Sequence, residues 1–166
     1  MNSIGRSTFD ELVDKLLHRA ENLIPAEVLP DLPGTEVTRD APRWYSFEYD
    51  TWQIGEQIRQ LTAEHKKKLH IGQINRILAI CMDKRAKRGR QSFIMLLAKK
   101  SYNEYASHLI PLLNDDDVDG HVIYTLYRMQ AGEYVEAVKP FLYHKRTWVR
   151  NEAKKYIQKY QSSTAR

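Results

Sequence analysis

The stretch "NEYASHLIPLL", Asn103–Leu113, returns 29 residues later as "GEYVEAVKPFL", Gly132–Leu142. Glu104, Tyr105, Pro111 and Leu113 come back as Glu133, Tyr134, Pro140 and Leu142. The same shift carries Phe93, Ile94 and Leu97 onto Val122, Ile123 and Leu126, and Leu109 and Leu112 onto Val138 and Phe141. A third unit follows a slightly longer turn, with Val149, Ala153, Ile157 and Tyr160 standing 31 residues after Val118, Val122, Leu126 and Met129. Backwards, Ile77, Ile80 and Cys81 match Ala106, Leu109 and Ile110, and upstream of Ile71 the register is lost. A unit of about 30 residues with two short helices cannot bury its apolar stripes alone, whereas stacked copies bury them against one another. The recurrence predicts an all-α fold built by repetition.

The N-terminal half reads differently. "STFDELVDKLLHRAENLI" opens with a capping-box pattern, Thr8 and Glu11, followed by Phe9, Leu12, Val13, Leu16, Leu17 and Ala20 at helical spacing. Pro25, Pro30, Pro33 with Gly34, and Pro42 make residues 25–43 an irregular connector. "RWYSFEYDTW" holds Trp44, Tyr45, Phe47, Tyr49 and Trp52 in alternation, the pattern of a short extended segment. It reads as a strip closing the first helices or as an interface. From Trp52 a helix is expected with Ile54, Ile58 and Leu61 on one side, and another from about Ile71 to Lys87 with Ile74, Ile77, Leu78 and Cys81 inward. Ser101 and Glu104 suggest a second capping box, and Thr147 an N-cap. At 166 residues the chain fits one domain: a helical cap over 1–65 and two to three repeats over 70–162.

The motif "LIPLLNDDDVDGHVIYTLYRM" resembles a HEAT-like repeat: an apolar helix end, a short Asp-rich turn, a valine and the next helix. "HKRTWVRNEAKKYI" resembles the succeeding repeat, its "WVRNEA" supplying the Val-Arg and alanine that the family favours. Asp119 follows the valine of the middle repeat where the family favours arginine. The resemblance covers residues ~70–160 and implies a short right-handed α-solenoid with an N-terminal helical cap.

Composition excludes several classes. A 42% apolar and 28% charged chain is that of a globular protein, not a disordered one. Apolar runs such as "FIMLLA" fall far short of the ~20 residues that span a bilayer, and no secretory signal stands at the N-terminus. A single cysteine suits a reducing compartment, so the expected location is cytoplasmic. Net charge is +5 but segregated: residues 1–65 carry 6 basic against 12 acidic side chains, 66–100 carry 11 against 1, 101–138 carry 1 against 7, and 139–166 carry 8 against 1. Such blocks attract partners of opposite charge, or neutralise one another across the fold.

Catalytic signatures are missing: no Gly-x-Ser-x-Gly elbow, no phosphate-cradling Gly-rich loop and no His-Glu-x-x-His helix. "NDDDVDG", Asn114–Gly120, lacks the distal glutamate of a calcium loop, and its acids suit the positive end of the next helix. Cys81 reads as a core residue, and His121 beside Asp119 as a surface histidine. No catalytic residue, metal or cofactor is therefore expected. By the 29-residue offset Lys87–Arg90, Asp116–Asp119 and Lys145–Trp148 all fall in turns between units, so they are expected along one edge in the order positive, negative, positive. An alternating edge is suited to a protein partner. The expected contact residues are Arg85, Lys87, Arg88 and Arg90, then Lys145, Arg146, Trp148 and Arg150, with reversal at Arg88 and Arg146 expected to spare stability. The function expected is a non-enzymatic binding module for a protein, of inhibitor or immunity type by analogy with other small helical-repeat proteins. The alternative partner is nucleic acid, since HEAT-like proteins include DNA glycosylases acting on alkylated bases. The chain is short for that family, and no Trp/Asp arrangement matches its active site.

Overall fold

Thr8 begins the first helix in the manner its sequence dictates. Its hydroxyl accepts from the Glu11 amide at 3.2 Å while the Glu11 carboxylate accepts from the Thr8 amide at 2.9 Å. The computed structural model describes residues 8–34 and 43–163; Pro42 of the connector and the seven N-terminal residues lie outside them. All regular structure among the described residues is helical: α1 (Phe9–Leu23), α2 (Ser46–His65), α3 (Ile71–Met82), α4 (Arg90–Leu96), α5 (Ala106–Leu109), α6 (Asp119–Met129), α7 (Val135–Val138) and α8 (Thr147–Tyr160), with short 3₁₀ turns between several of them. None of these helices is long and apolar enough to cross a membrane.

The described chain gathers into two units, residues 8–29 with 46–93, and residues 30–34 and 43–45 with 94–163. In the first, α1 packs on α2 and α3 through Phe9, Val13, Leu17 and Ala20, which are all buried. Ile74, Ile77, Leu78 and Cys81 of α3 are buried as their spacing predicts. His70 caps that helix, its Nδ1 accepting from the Gln73 amide at 3.2 Å. Asp83 ends it, and a 3₁₀ turn over Lys84–Gly89 takes the place of the expected helical extension to Lys87.

The aromatic segment is helical rather than extended from Ser46 onward, so α2 starts six residues before Trp52. The misreading has a physical cause. The inward stripe of α2 is Glu48, Thr51, Ile54, Gly55, Ile58 and Thr62, which has helical period but is half polar. The aromatics stand beside it, Phe47 and Trp52 half-buried and Tyr49 exposed, so the apolar pattern alone imitates a strand. Gly55 and Gly89 allow the 3₁₀ turn and Ser92 to approach this polar stripe: a Cβ on Gly55 would lie 2.7 Å from Ser92 Cβ, and one on Gly89 would lie 2.9 Å from Glu48 O.

In the second unit the repeat is visible in the elements themselves. A 3₁₀ turn ending at Tyr105, α5, and a 3₁₀ turn over Ile110–Asn114 recur as a turn ending at Tyr134, α7, and a turn over Lys139–Tyr143, with Tyr105, Ala106–Leu109 and Ile110–Asn114 each displaced by 29 residues. Helices α4 and α6 start at Arg90 and Asp119, again 29 apart. Pro111 and Pro140 occupy the start of the second 3₁₀ turn in each copy, where the missing N–H costs nothing. Ile94, Leu97, Leu109, Val122, Ile123, Leu126, Val138, Val149 and Ala153 are inaccessible to solvent, so the aligned apolar positions are the core. Helix α8 packs on α6 and α7, and its tyrosines reach back to earlier turns: Tyr160 Oη donates to Tyr127 O at 2.8 Å, and Tyr156 Oη donates to Ala131 O. Two expected caps are absent. The 3₁₀ turn from Lys100 has Lys99 as its cap without a side-chain bond, leaving Ser101 inside it, and Thr147 is the first residue of α8.

Leu126→Ala and Leu109→Ala should each lower unfolding free energy by ~2–5 kcal/mol, the cost of a core cavity. Gly55→Ala exchanges a poor helix former for the best one, worth ~1 kcal/mol in an exposed helix. Here the overlap with Ser92 should reverse the sign and cost ~1–3 kcal/mol. Denaturant titration of the three variants measures both effects.

Candidate functional site

The turns before α6 and α8 bring acids and bases together. Lys145 Nζ lies 2.8 Å from Asp116 Oδ2, a pair 29 residues apart, so the register between these two turns is as the sequence aligned them. Arg146 Nη2 donates both to Asp116 O, at 2.5 Å, and to Asp119 Oδ1, at 3.0 Å. Asp119 is 2% exposed; its Oδ1 also accepts from the Gly120 amide at 2.6 Å, and its Oδ2 lies 3.0 Å from His144 Nε2. Burial pushes the Asp119 carboxyl up from its ordinary range, while Arg146, the Gly120 amide and His144 pull it back. Asp116 is held below the usual carboxylate range, first by its hydrogen bond from Lys145.

This arrangement settles the tautomer of His144. Its Nδ1 accepts from the Arg146 amide at 3.0 Å, so the ring proton sits on Nε2 and points to Asp119. Both ring nitrogens are thereby used, and His144 keeps no lone pair for abstracting a proton. The same bonds bear on a metal. One ligand atom each from Asp116, Asp119 and His144 falls within 4.8 Å of the others. A metal at Nε2 would need the proton moved to Nδ1, at the expense of the bond from the Arg146 amide, and the two carboxylates already have cations, Asp116 in Lys145 and Asp119 in Arg146. The donor set does not fit a metal ion.

His121 is next to Asp119 in sequence but does not pair with it. It meets Trp148 edge-on with ring centroids 5.0 Å apart, and its Nδ1 is buried with no hydrogen-bond partner among the described residues. Burial first, and then the Arg146 charge, lower its pKa to about 4. Trp148, 37% exposed, lies against Gly120, where a Cβ would overlap its six-membered ring. The expected loop acids divide their roles: Asp115 Oδ1 accepts from the Asp117 amide at 3.1 Å, and Asp119 occupies the first turn of α6, whose cap position is Val118.

The residues expected to carry exposed charge must be revised. Lys87, Arg88 and Arg90 are 5%, 8% and 0% exposed. Arg90 Nε donates to Lys87 O at 2.6 Å; Lys87 Nζ donates to Leu29 O at 3.2 Å; and Glu48, itself fully buried, accepts from the Arg88 amide at 3.0 Å with Arg88 Nη1 3.8 Å away. Lys87 adopts φ 47°, ψ −129°, a conformation a non-glycine residue holds only when its surroundings impose it. Arg85 is exposed and bonded to Asp83 at 2.7 Å. Arg150 donates to His144 O, Lys145 O and Thr147 Oγ1, bracing the turn. Of the eight, Lys145 and Trp148 have exposed surface in the second unit, Lys145 with its charge paired. Reversal at Arg88 or Arg146 would therefore disrupt buried charge rather than spare stability. Cys81 is wholly buried, and desolvation pushes its thiol up to about 12, far from a reactive thiolate.

Free positive charge lies elsewhere. A cleft of about 510 Å³ in the second unit is lined by Ala98, Lys99, Lys100, Tyr127, Arg128, Gln130 and Lys159. Its four cationic side chains are exposed, and none forms an ion pair or hydrogen bond with another described residue. The ammonium of Lys159 sits 4.5 Å from the centre of the Tyr127 ring. Sequence reading missed this cleft because Arg128 is the lone cation of an acidic block and Lys99–Lys100 closes a basic one. No family model, curated protein or solved structure matches the chain.

Two measurements test the buried cluster. Arg146→Ala should lower stability by about 3 kcal/mol at neutral pH, since it leaves Asp119 buried without its guanidinium, and Arg146→Ala with Asp119→Ala should cost less than the sum of the singles. His121 gives a pH signature. Its folded pKa is depressed to about 4 from 6.5, so below pH 6.5 the unfolded chain takes up a proton that the folded chain refuses. Stability is lost as pH falls through that window, by about 2 kcal/mol at pH 5, with the raised Asp119 acting in the opposite direction. His121→Phe should flatten the loss between pH 7 and pH 5 in denaturant titrations.

Proposed function

We propose that the protein is a non-catalytic binding module of the helical-repeat kind, its 29-residue units forming a short HEAT-like stack, and that it holds an acidic protein partner in the cytoplasm. The observation that carries this reading is the cleft at Lys99, Lys100, Arg128 and Lys159, whose charges have no acidic partner among the described residues. Aligned like charges repel, so a fold keeps such a group only at some cost unless a ligand supplies the counter-charge. The groups that usually do chemistry support the same reading, being spent inside the protein: His144 on Asp119 and the Arg146 amide, Arg146 on the aspartates, Cys81 in the core. Occlusion of the partner's own active surface, as an inhibitor or immunity protein does, is the use we assign to such a module.

Nucleic acid is the second reading, favoured by the same cleft and by a pI near 9.2. Affinity capture from lysate with and without nuclease separates the two. Our reading expects one stoichiometric protein that survives nuclease. Retained material that vanishes with nuclease, with affinity falling linearly in log salt, would overturn it.

A further inference from the structure

We infer that the cleft between the end of α4, the end of α6 and the end of α8 is a receptor for a short carboxylate-rich peptide segment, a run of Asp or Glu side chains on the partner; this rests on the binding-module reading above. Three observations narrow the ligand.

The first is why the cations are there. Arg128 and Lys159 lie in the last turns of α6 and α8, where the helix dipole favours positive charge without any ligand. Lys99 and Lys100 open a 3₁₀ turn as its cap and first residue, the end at which helix electrostatics favours acids. Lys99 and Lys100 also follow the end of α4, so helix ends favour cations here without supplying a counter-charge for four of them together. An external anion accounts for all four.

The second is how far the positive surface extends. One turn before Lys159 on α8, Lys155 is engaged by Glu152 at 2.9 Å, and Lys145 and Arg146 are engaged by Asp116 and Asp119. Lys154, beside Lys155, is exposed and unpaired among the described residues but stands outside the cleft. In the second unit the unpaired cations that share a cleft are therefore these four, with paired bases elsewhere on α8 and its leading turn. A polynucleotide is held by cations tracking its backbone over many phosphates. A few carboxylates need only this cleft.

The third is what the cleft lacks. Sequence-tolerant binding of single strands relies on aromatic faces that stack on bases. The aromatic ring here is that of Tyr127, and Lys159 covers it at 4.5 Å while Tyr160 meets it edge-on at 6.2 Å. A ring so occupied reinforces the position of the Lys159 ammonium and offers no platform to a base.

The test uses the purified full chain and a fluorescein-labelled oligoglutamate peptide, followed by fluorescence polarisation, with a single-stranded oligonucleotide of equal charge and inorganic phosphate as parallel probes. Saturable peptide binding that weakens with salt is expected. Lys99→Glu with Arg128→Glu should reduce it about tenfold or more, the effect of losing and then reversing two contacts, while Lys68→Glu with Lys84→Glu, an equal charge change on exposed lysines outside the cleft, should reduce it less than about twofold. Equal losses in both variants would mean that only net charge matters and would sink the assignment. So would absent peptide binding, or an oligonucleotide or phosphate that binds more tightly than the peptide. Failure here is separable from failure of the module reading. A nuclease-resistant protein captured equally by wild type and by the Lys99/Arg128 variant would retire the cleft and leave the module standing.

Discussion

The second unit is organised around one buried carboxylate. Asp119 is desolvated, and an isolated ionised carboxylate in such a place costs several kcal/mol unless donors surround it. Three donors do: the Gly120 amide from its own helix, and the Arg146 guanidinium and His144 ring from the turn before α8. Those donors are themselves fixed, His144 by the Arg146 amide and the turn carbonyls by Arg150. The consequence is geometric. Helices α5 and α7 have four residues each, too short to persist without neighbours, so the relative placement of α6 and α8 decides whether their apolar stripes meet. Satisfying Asp119 pins the two turns that launch α6 and α8, and the Val122, Leu126, Val149 and Ala153 core closes behind them.

A register position explains why the charge is buried at all. Asp119 is the first residue of α6, and its counterpart 29 residues earlier, the first residue of α4, is Arg90, equally buried. Arg90 faces the converse problem and solves it by donating to Lys87 O and Cys81 O, carbonyls of its own turn and of the helix before it. The position therefore takes a buried charge that finds partners in an adjoining turn, the preceding one for Arg90 and the following one for Asp119, and either sign of charge serves. Lys87, with its unfavourable backbone angles, is the cost of shaping that turn so that Arg90 and the Arg88 amide find their acceptors. The charged residues of these turns act as internal fasteners.

What was legible in the sequence follows from this. The 29-residue recurrence, the core positions from Phe93 to Tyr160 and the Thr8 cap were readable because apolar periodicity and capping chemistry are local signals. The contact between Asp116 and Lys145 was readable from register. The fate of the charges was not, since a basic run such as Lys87–Arg90 looks the same whether it faces water or folds back on carbonyls, and Glu48 gives no sign of being fully buried. Helix α2 was obscured for a related reason: its inward face carries Glu48, Thr51 and Thr62, so the conspicuous aromatics drew the eye to the wrong period. Glycine roles were equally hidden. Gly120 makes room for Trp148, while among non-glycine residues positive φ falls at Lys66, Lys87 and Gln130.

Subtraction, more than inspection, is what locates unpaired charge in a chain as heavily charged as this one. Of the cations between Lys84 and Arg150, those in the densest runs are consumed: Arg85 by Asp83, Arg88 beside Glu48, Arg90 by backbone carbonyls, Lys145 and Arg146 by the Asp116–Asp119 turn. Lys99, Lys100 and Arg128, with Lys159 further on, come from three stretches that no linear scan would join, and it is the fold of the second unit that brings them to one cleft. In the turns before α4 and α8, density of charge in the sequence thus does not mean available charge. The bases of the turn before α8 meet acids and a carbonyl 25 to 30 residues earlier and so brace that turn, whereas the four cations of the cleft brace nothing in the described fold.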